Sequence, residues 1–376
     1  MVRENKSPPK GFAAKLEGEL NAFSDHAARQ GRLAPPRRVL AMGFVFFAML
    51  FLGTSCSKMK PEPATLFTFQ EGHMGTQFTI RSWATEADEA AMKKATSEAF
   101  AEIHRLEMIF SDYQPTSEVI GLAEVLANEP TAISDDLAEV IETSLELSRE
   151  TDGAFDITVS PMIRLWRMAR KNHQLPNEKQ RTMARERSGF EKLKLDRENG
   201  DLTFLTENMR LDFGGIVKGY SADRALGILK KAGFPSSIVA ASGDIAVGDA
   251  PPGEPGWRIG IETLGSELTG TVLLKNVAVS TSGDTRQAVE IDGVRYSHIV
   301  DPKTGLGLTE RIGVTIIAPN ATTTDSYATA VSILGAKKGI AFVESKAVVE
   351  CVILERDVAG ELVKTESAGM AAILVE

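Results

Sequence analysis

Between Leu211 and Ala330 the apolar runs of the chain are broken by five polar islands: LDFGGIVKGYSAD, AASGDI, STSGD, YSHIVDPKTG and TTTDSYATA. Small and polar residues that interrupt apolar segments mark strand ends and helix starts, where binding and catalytic groups are mounted on a fixed frame. A chain punctuated this closely is restricted to short elements. Three further islands precede them: HMGTQF around Gly75, SDYQPTSEV around Tyr113 and TDGAFDITVSP around Asp156.

The N-terminal segment reads differently. Arg37 and Arg38 lead into an apolar run from Val39 to Leu52, followed by Gly53, Thr54, Ser55 and Cys56. That is the pattern of an export signal with small residues before a cysteine, too short and too polar beyond Ser57 for a permanent span. A lipoprotein with Cys56 acylated is expected, held on the periplasmic side of the inner membrane. Leu52 stands four residues before Cys56, where bacterial lipoproteins usually carry it three before, so an uncleaved anchor helix is the competing reading. Residues 1–56 are set apart as extension and signal, 57–64 as a tether, and 65–376 as the folded domain.

Residues 1–56 carry eight Lys/Arg against four Asp/Glu, so with an overall net charge of −9 the rest of the chain stands at −13. An acidic body argues against nucleic-acid binding. Beyond Cys56 only Cys351 remains, inside the apolar run Val348 to Leu354. No internal disulfide or thiolate metal cluster is then available, and Cys351 reads as a buried strand residue.

Strand Leu66–Phe69 is expected to pair with Thr76–Arg81 across a turn at Gly72–Gly75. Helical spacing then predicts Ala87–Ile109, with Ala91, Ala95, Ala99, Ile103 and Leu106 on one stripe. A second helix starts at Ser134 and runs through Leu137, Val140, Ile141 and Leu145 towards Gly153. The basic, polar and helix-prone stretch Trp166–Gly189 reads as an exposed segment more than a core element, and Leu193–Leu195 with Asp201–Leu205 as a hairpin. After a helix over Gly219–Lys231, short strands are expected at 237–241, 257–262, 270–274, 278–280, 288–291, 298–300 and 313–318. This gives an α+β fold of antiparallel sheet and helices, in two lobes with the site between them.

In TTTDSYATA, Thr322 or Thr323 can cap a helix that places Asp325 in its first turn and Thr329 one turn on, on the same face. Carboxylate and hydroxyl oxygens suit a hard cation; an acid in a first turn equally serves the helix dipole with no metal. LDFGGIVKGYSAD reads as strand, double-glycine turn and helix, a backbone that can approach a phosphate, with Lys218 adding charge. The same turn occurs widely with no ligand. Alternation places Tyr296, His298 and Val300 on one strand face, where His298 is either a general base oriented by Asp301 or a strand-end histidine bonded to its turn.

Taken together and in order, the eight islands from about Met74 to Gly335 resemble the ApbE-type FAD:protein FMN transferases. The resemblance implies an ApbE-like fold and Mg²⁺ held by Asp325, Thr329 and the carbonyl of Gly215. It implies flavin-nucleotide contacts from Asp212 and Lys218, and from Met74, Ser111, Tyr113, Ala154, Phe155, Asp156 and Ser282. His298 and the DPKTG turn with Asp301 would line the active site. The implied reaction cleaves FAD, releases AMP and joins FMN through a phosphoester to Ser or Thr of an acceptor flavoprotein. A Mg²⁺-dependent FAD pyrophosphatase and a non-catalytic flavin-binding lipoprotein are the alternatives. Ser242, in AASGDI, stands where the family commonly has glycine.

Overall fold

The computed structural model describes residues 63–264, 267–283, 288–356 and 360–375. Cys56 and the apolar run before it lie outside them. Ala64–Glu376 forms one compact unit. Its frame is an eight-stranded sheet whose strands follow one another in space as they do in sequence, every neighbour antiparallel. The strands are β1 (Thr65–His73), β2 (Thr76–Ala84), β3 (Ser237–Ala241), β4 (Asp244–Val247), β5 (Ala278–Gly283), β6 (Ile312–Ala318), β7 (Glu350–Arg356) and β8 (Leu362–Glu366).

The β1–β2 turn is tighter than expected. His73 pairs with Thr76, leaving only Met74 (φ 50°) and Gly75 (φ 71°) between the strands. Two consecutive positive φ values make the two-residue turn that matches strand twist. The β3–β4 turn is equally short, with Ser242 at φ 59°. Strand β4 was not expected, because four residues that open on an aspartate carry too little apolar pattern to register.

Helix α1 (Glu89–Phe110) buries Met92, Ala95, Ala99, Ile103 and Leu106, whereas Ala91 is exposed. A strict step of four residues drifts around the helix, which puts Ala91 about 120° from Ile103 and Met92 only about 20° away. Helix α2 (Asp135–Glu150) starts as expected: the Ser134 hydroxyl accepts the Leu137 N–H, and Leu137, Val140, Ile141 and Leu145 are buried. The hairpin of Leu193–Asp196 and Asp201–Phe204 also forms, joined by Thr131–Ala132.

The segment Trp166–Gly189 is not an exposed appendage. It holds most of helix α3 (Ser160–Asn172) and all of α4 (Glu178–Glu186), and Trp166, 1% exposed, packs with Met162, Ala169, Ala184, Ile291, Tyr296 and Val300. Average polarity hid one apolar face at spacings of four and three. The expected strand 298–300 is also absent. Val294–Tyr296 ends before His298, and only Val300–Asp301 pairs, with Leu306–Gly307. The Ser297 hydroxyl accepts the Ile299 N–H at 3.1 Å, a local turn that competes with the ladder.

Helix α5 (Val217–Lys231) packs with α1 over β2 to β5, and helix α6 (Ala321–Glu344) over β6 and β7. A third apolar cluster joins α1, α2, the small hairpin and the start of α5. The expected α+β architecture is present; its lobes are clusters of a single unit. Cys351 is buried on β7, as the sequence suggested.

Candidate functional site

The site is built where the first turns of α5 and α6 meet. Gly219 allows this contact: a Cβ there would lie 2.0 Å from the Ala321 carbonyl oxygen and 2.9 Å from the Asp325 Cβ. The Gly219 N–H donates to Asp325 Oδ2 at 3.0 Å. Lys218, one residue earlier, donates from Nζ to Asp244 Oδ2 at 2.6 Å and to the two Asp325 oxygens at 3.3 and 3.4 Å. Asp244 opens β4 opposite Ser280 of β5.

Asp325 is 4% exposed, and burial pushes its carboxyl up to about 7, with the Asp244 charge adding to the effect and Lys218 opposing it. Burial works against the Lys218 ammonium, but the two carboxylates outweigh it and hold the group above the ordinary lysine value. Fully ionised, the trio carries one negative charge in excess. Buried charge left uncompensated is costly, so this arrangement favours a further cation.

Asp325 is the fifth residue of α6 and not in its first turn. The helix start is served by others. Asn320 accepts the Thr323 N–H at 2.8 Å, and the Asp223 carboxylate accepts the N–H groups of Ala321 and Thr322 and the Thr322 hydroxyl. Thr322 and Thr323 are therefore not the caps, and Asp325 is not needed as one. Thr329, one turn on, reaches Gly215: a Cβ on that glycine would lie 2.8 Å from Thr329 Oγ1. Carboxylate and hydroxyl oxygens one helical turn apart, beside the Gly215 backbone, are donors of the kind that suits Mg²⁺.

Asp212 extends the site on the other side of the double glycine. Its Oδ1 accepts the Gly214 N–H at 2.9 Å, and its Oδ2 lies 3.2 Å from Arg167 Nη2. Burial, with the neighbouring Asp112 charge, raises its carboxyl above the ordinary range. Arg167 also pairs with Asp112 and lies 4.5 Å from the centroid of the Tyr113 ring, itself 74% exposed. The Ser111 hydroxyl accepts the N–H groups of Tyr113 and Gln114 and so shapes the turn presenting that ring. Arg167 and Asp112 were missed, because the arginine lay in a stretch taken for exposed surface.

The remaining expected residues divide into two kinds. Met74 holds its turn through an N–H bond to Glu107, with its sulfur 3.7 Å from Ser221 Oγ in α5. Ser282 lies on β5 opposite Val314, two residues beyond Ser280, whose hydroxyl bonds Thr324 of α6 at 2.7 Å. Ala154 and Phe155 are buried, and Asp156 has both oxygens engaged internally, by the Thr158 N–H and hydroxyl and by the Phe190 N–H. These last three sit beside the irregular segment of Asp212, whose N–H donates to the Ile157 carbonyl; the strand expected ahead of the double glycine does not form.

His298 is half-buried in the bend after Tyr296. The bend hangs on Trp166, whose indole N–H donates to the Ser297 carbonyl at 3.0 Å. Asp301 shapes the DPKTG turn: its Oδ1 accepts the Lys303 N–H at 2.8 Å and its carbonyl the Gly305 N–H. A separate cavity of about 550 Å³, lined by Tyr220, Asp223, Arg224 and Thr322 among others, includes none of Lys218, Asp244, Asp325 or Thr329.

An antiparallel α+β unit with a buried, anion-excess oxygen cluster beside a double-glycine turn is an arrangement that could accommodate a cation and a phosphorylated ligand. Residues 74–353 match the profile of the ApbE family, and the chain belongs to that family. It is 28% identical over 320 residues to the FAD:protein FMN transferase of Vibrio cholerae, covering 83% of this chain and 93% of that one. To the Haemophilus influenzae FAD:protein FMN transferase it is 27% identical over 340 residues, 88% and 96% of the two chains. Among solved structures, the flavin transferase ApbE from V. cholerae superposes with a TM-score of 0.75 at 26% identity, over 83% of this chain and all of that one. The apo flavinyl transferase ApbE of Pseudomonas stutzeri gives 0.73 at 28% identity, over 84% and 99%.

Proposed function

We propose that this chain is an FAD:protein FMN transferase, which breaks the pyrophosphate of FAD, releases AMP and esterifies the FMN phosphate to a Ser or Thr hydroxyl of an acceptor flavoprotein. The observation that carries this reading is the Lys218 bridge between two buried carboxylates, Asp244 and Asp325, beside the close contact of Gly215 and Thr329. Asp325, Thr329 and the Gly215 carbonyl are the residues that would hold Mg²⁺. When bound, that ion would supply charge neutralisation to the pyrophosphate.

Lys218, kept protonated by its two carboxylates, contributes a fixed positive charge where negative charge builds on the transferring phosphoryl group. Thr329 closes on Gly215, and Asp212 fixes the double-glycine turn through Gly214, so the turn is held rigidly beside the Lys218 charge. Tyr113, stacked on Arg167, offers an exposed aromatic face to the flavin or adenine ring, and Met74 an adaptable apolar one. His298 takes the proton of the acceptor hydroxyl as it attacks. Acylation of Cys56 would tether the enzyme to the periplasmic side of the inner membrane, within reach of membrane or periplasmic flavoproteins.

The full-length protein in detergent, incubated with FAD, Mg²⁺ and a flavoprotein fragment bearing an acceptor Thr, is read by intact mass. One FMN gained by the acceptor, and lost in Asp325→Ala, is the expected result. AMP and free FMN with no gain in mass would make the chain a pyrophosphatase, and unchanged FAD would leave a binding protein.

A further inference from the structure

We propose that His73, His104 and Glu107 form a second metal site, of the zinc class, which clamps the β1–β2 turn carrying Met74. The ligands come from the end of β1 and one face of α1. His73 Nδ1 lies 3.5 Å from Glu107 Oε2, His104 Nδ1 lies 3.8 Å from the same oxygen, and the three atoms are all within 4.8 Å of one another. Metal bonds of about 2.0–2.1 Å in tetrahedral array place neighbouring ligand atoms roughly 3.3 Å apart, so the two contacts to Glu107 need to shorten by only a few tenths of an ångström and the two imidazoles to close by at most about 1.5 Å. His104 can supply that movement, being 62% exposed. The His104 to Glu107 spacing is the i, i+3 step that puts both side chains on one helix face.

The outer partners are arranged as metal ligands require. Glu71 Oε2 lies 3.2 Å from His73 Nε2, on the far side of the ring from Glu107. With that nitrogen donating to Glu71, a neutral His73 turns a bare Nδ1 lone pair towards the Glu107 carboxylate. Two electron-rich atoms in that position repel unless a proton or a metal ion lies between them. A carboxylate on the outer nitrogen of a histidine ligand fixes its tautomer and strengthens its donation. Phe100 stacks on the His73 ring at 6.0 Å and 25°, fixing its plane. Glu107 is oriented in turn: its Oε1 accepts the Met74 N–H at 2.8 Å, leaving Oε2 for the ion.

Two imidazoles and one carboxylate are donors for a borderline first-row dication, distinct from the oxygen donors around Asp325, and they leave one position for water. The ion would join β1 to α1 and, through Glu107, hold the Met74 turn in its left-handed conformation. Occupancy would thereby stiffen one wall of the flavin site without taking part in the reaction.

The test uses the full-length protein in detergent, with Mg²⁺ in large excess to keep the Asp325 site filled. Co²⁺ is titrated and its visible ligand-field absorption followed, then Zn²⁺ is added. The expected result is one equivalent of Co²⁺ with nitrogen-ligand bands, displaced by Zn²⁺, and an affinity at least tenfold weaker in both His104→Ala and Glu107→Gln. The glutamine can still accept the Met74 N–H, and the metal-free melting temperature checks that each variant folds. Absence of Co²⁺ binding, bands that persist unchanged in His104→Ala, or bands abolished by Asp325→Asn in place of the cluster variants would overturn the proposal.

Discussion

The Lys218–Asp244–Asp325 centre and the His298 bend are built on opposite principles. In the first, two helices and a strand converge through glycine contacts, so that each charged group is held by several others. In the second, the imidazole rides on irregular backbone held by an indole bond from Trp166, a local bond to the Ser297 hydroxyl, and backbone bonds of Ser297 and Ile299 to Leu308. A group that balances charge must be buried and over-determined, because its stabilisation grows as water is excluded. A group that takes a proton from an incoming protein substrate, the role proposed for His298, needs an accessible edge, and a half-buried bend can supply one.

Breaking the rigid centre has the largest expected effect. Asp325→Ala should lower FMN transfer by about 10³-fold, the scale seen when a preorganised charge-stabilising group is lost. Single-turnover mass spectrometry measures it. The same carboxyl provides a pH test in metal-free protein. Its folded pKa, pushed up to about 7, exceeds the usual 3.8, so the folded state binds the extra proton between these values. Its contribution to stability should therefore fall as pH rises through that window. Melting curves of the parent should show this decline, and those of Asp325→Asn should lack it.

Gly219→Ala attacks the convergence itself. With the Ala321 carbonyl 2.0 Å from the new methyl, the two helix starts must separate, at a cost of about 3 kcal/mol or more. Denaturant unfolding would report it, and a silent substitution would show that the two helix starts are not rigidly apposed. Trp166→Phe tests the bend. Removing the indole donor leaves the Ser297 carbonyl without that partner, a loss of about 1–3 kcal/mol. If the bond positions His298, kcat should fall while KM for FAD stays put; a uniform loss of protein would point to packing alone.

The smallest change sharpens the comparison from the side of the rigid frame. Ser242 adopts φ 59° in the β3–β4 turn that launches Asp244. Glycine at this position relieves a left-handed non-glycine conformation worth about 1 kcal/mol. Ser242→Gly should raise the unfolding free energy measured in denaturant by about 1 kcal/mol and leave FAD affinity unchanged.

Much of this was legible from local chemistry. The turn glycines, the Ser134 cap, the α2 stripe and the hairpin at Leu193–Phe204 all express preferences within a few residues, and such preferences survive folding. The Asp325–Thr329 pairing was legible for the same reason, since i, i+4 geometry is a property of the helix alone. Local signals failed where neighbours outvoted them. Trp166 is buried because the 289–306 segment lies over it, and Ala91 is exposed because no described residue covers that side of α1.

The sequence alone determined the short-element α+β class, the acidic body and the oxygen-bearing pair on α6. Only the tertiary structure decided that Lys218 bridges Asp244 and Asp325, that Arg167 joins Asp112 to Asp212 under Tyr113, and that His73 faces Glu107. Each of these contacts crosses between elements distant in the chain. Their distances depend on how the sheet and helices pack, and no local periodicity encodes that.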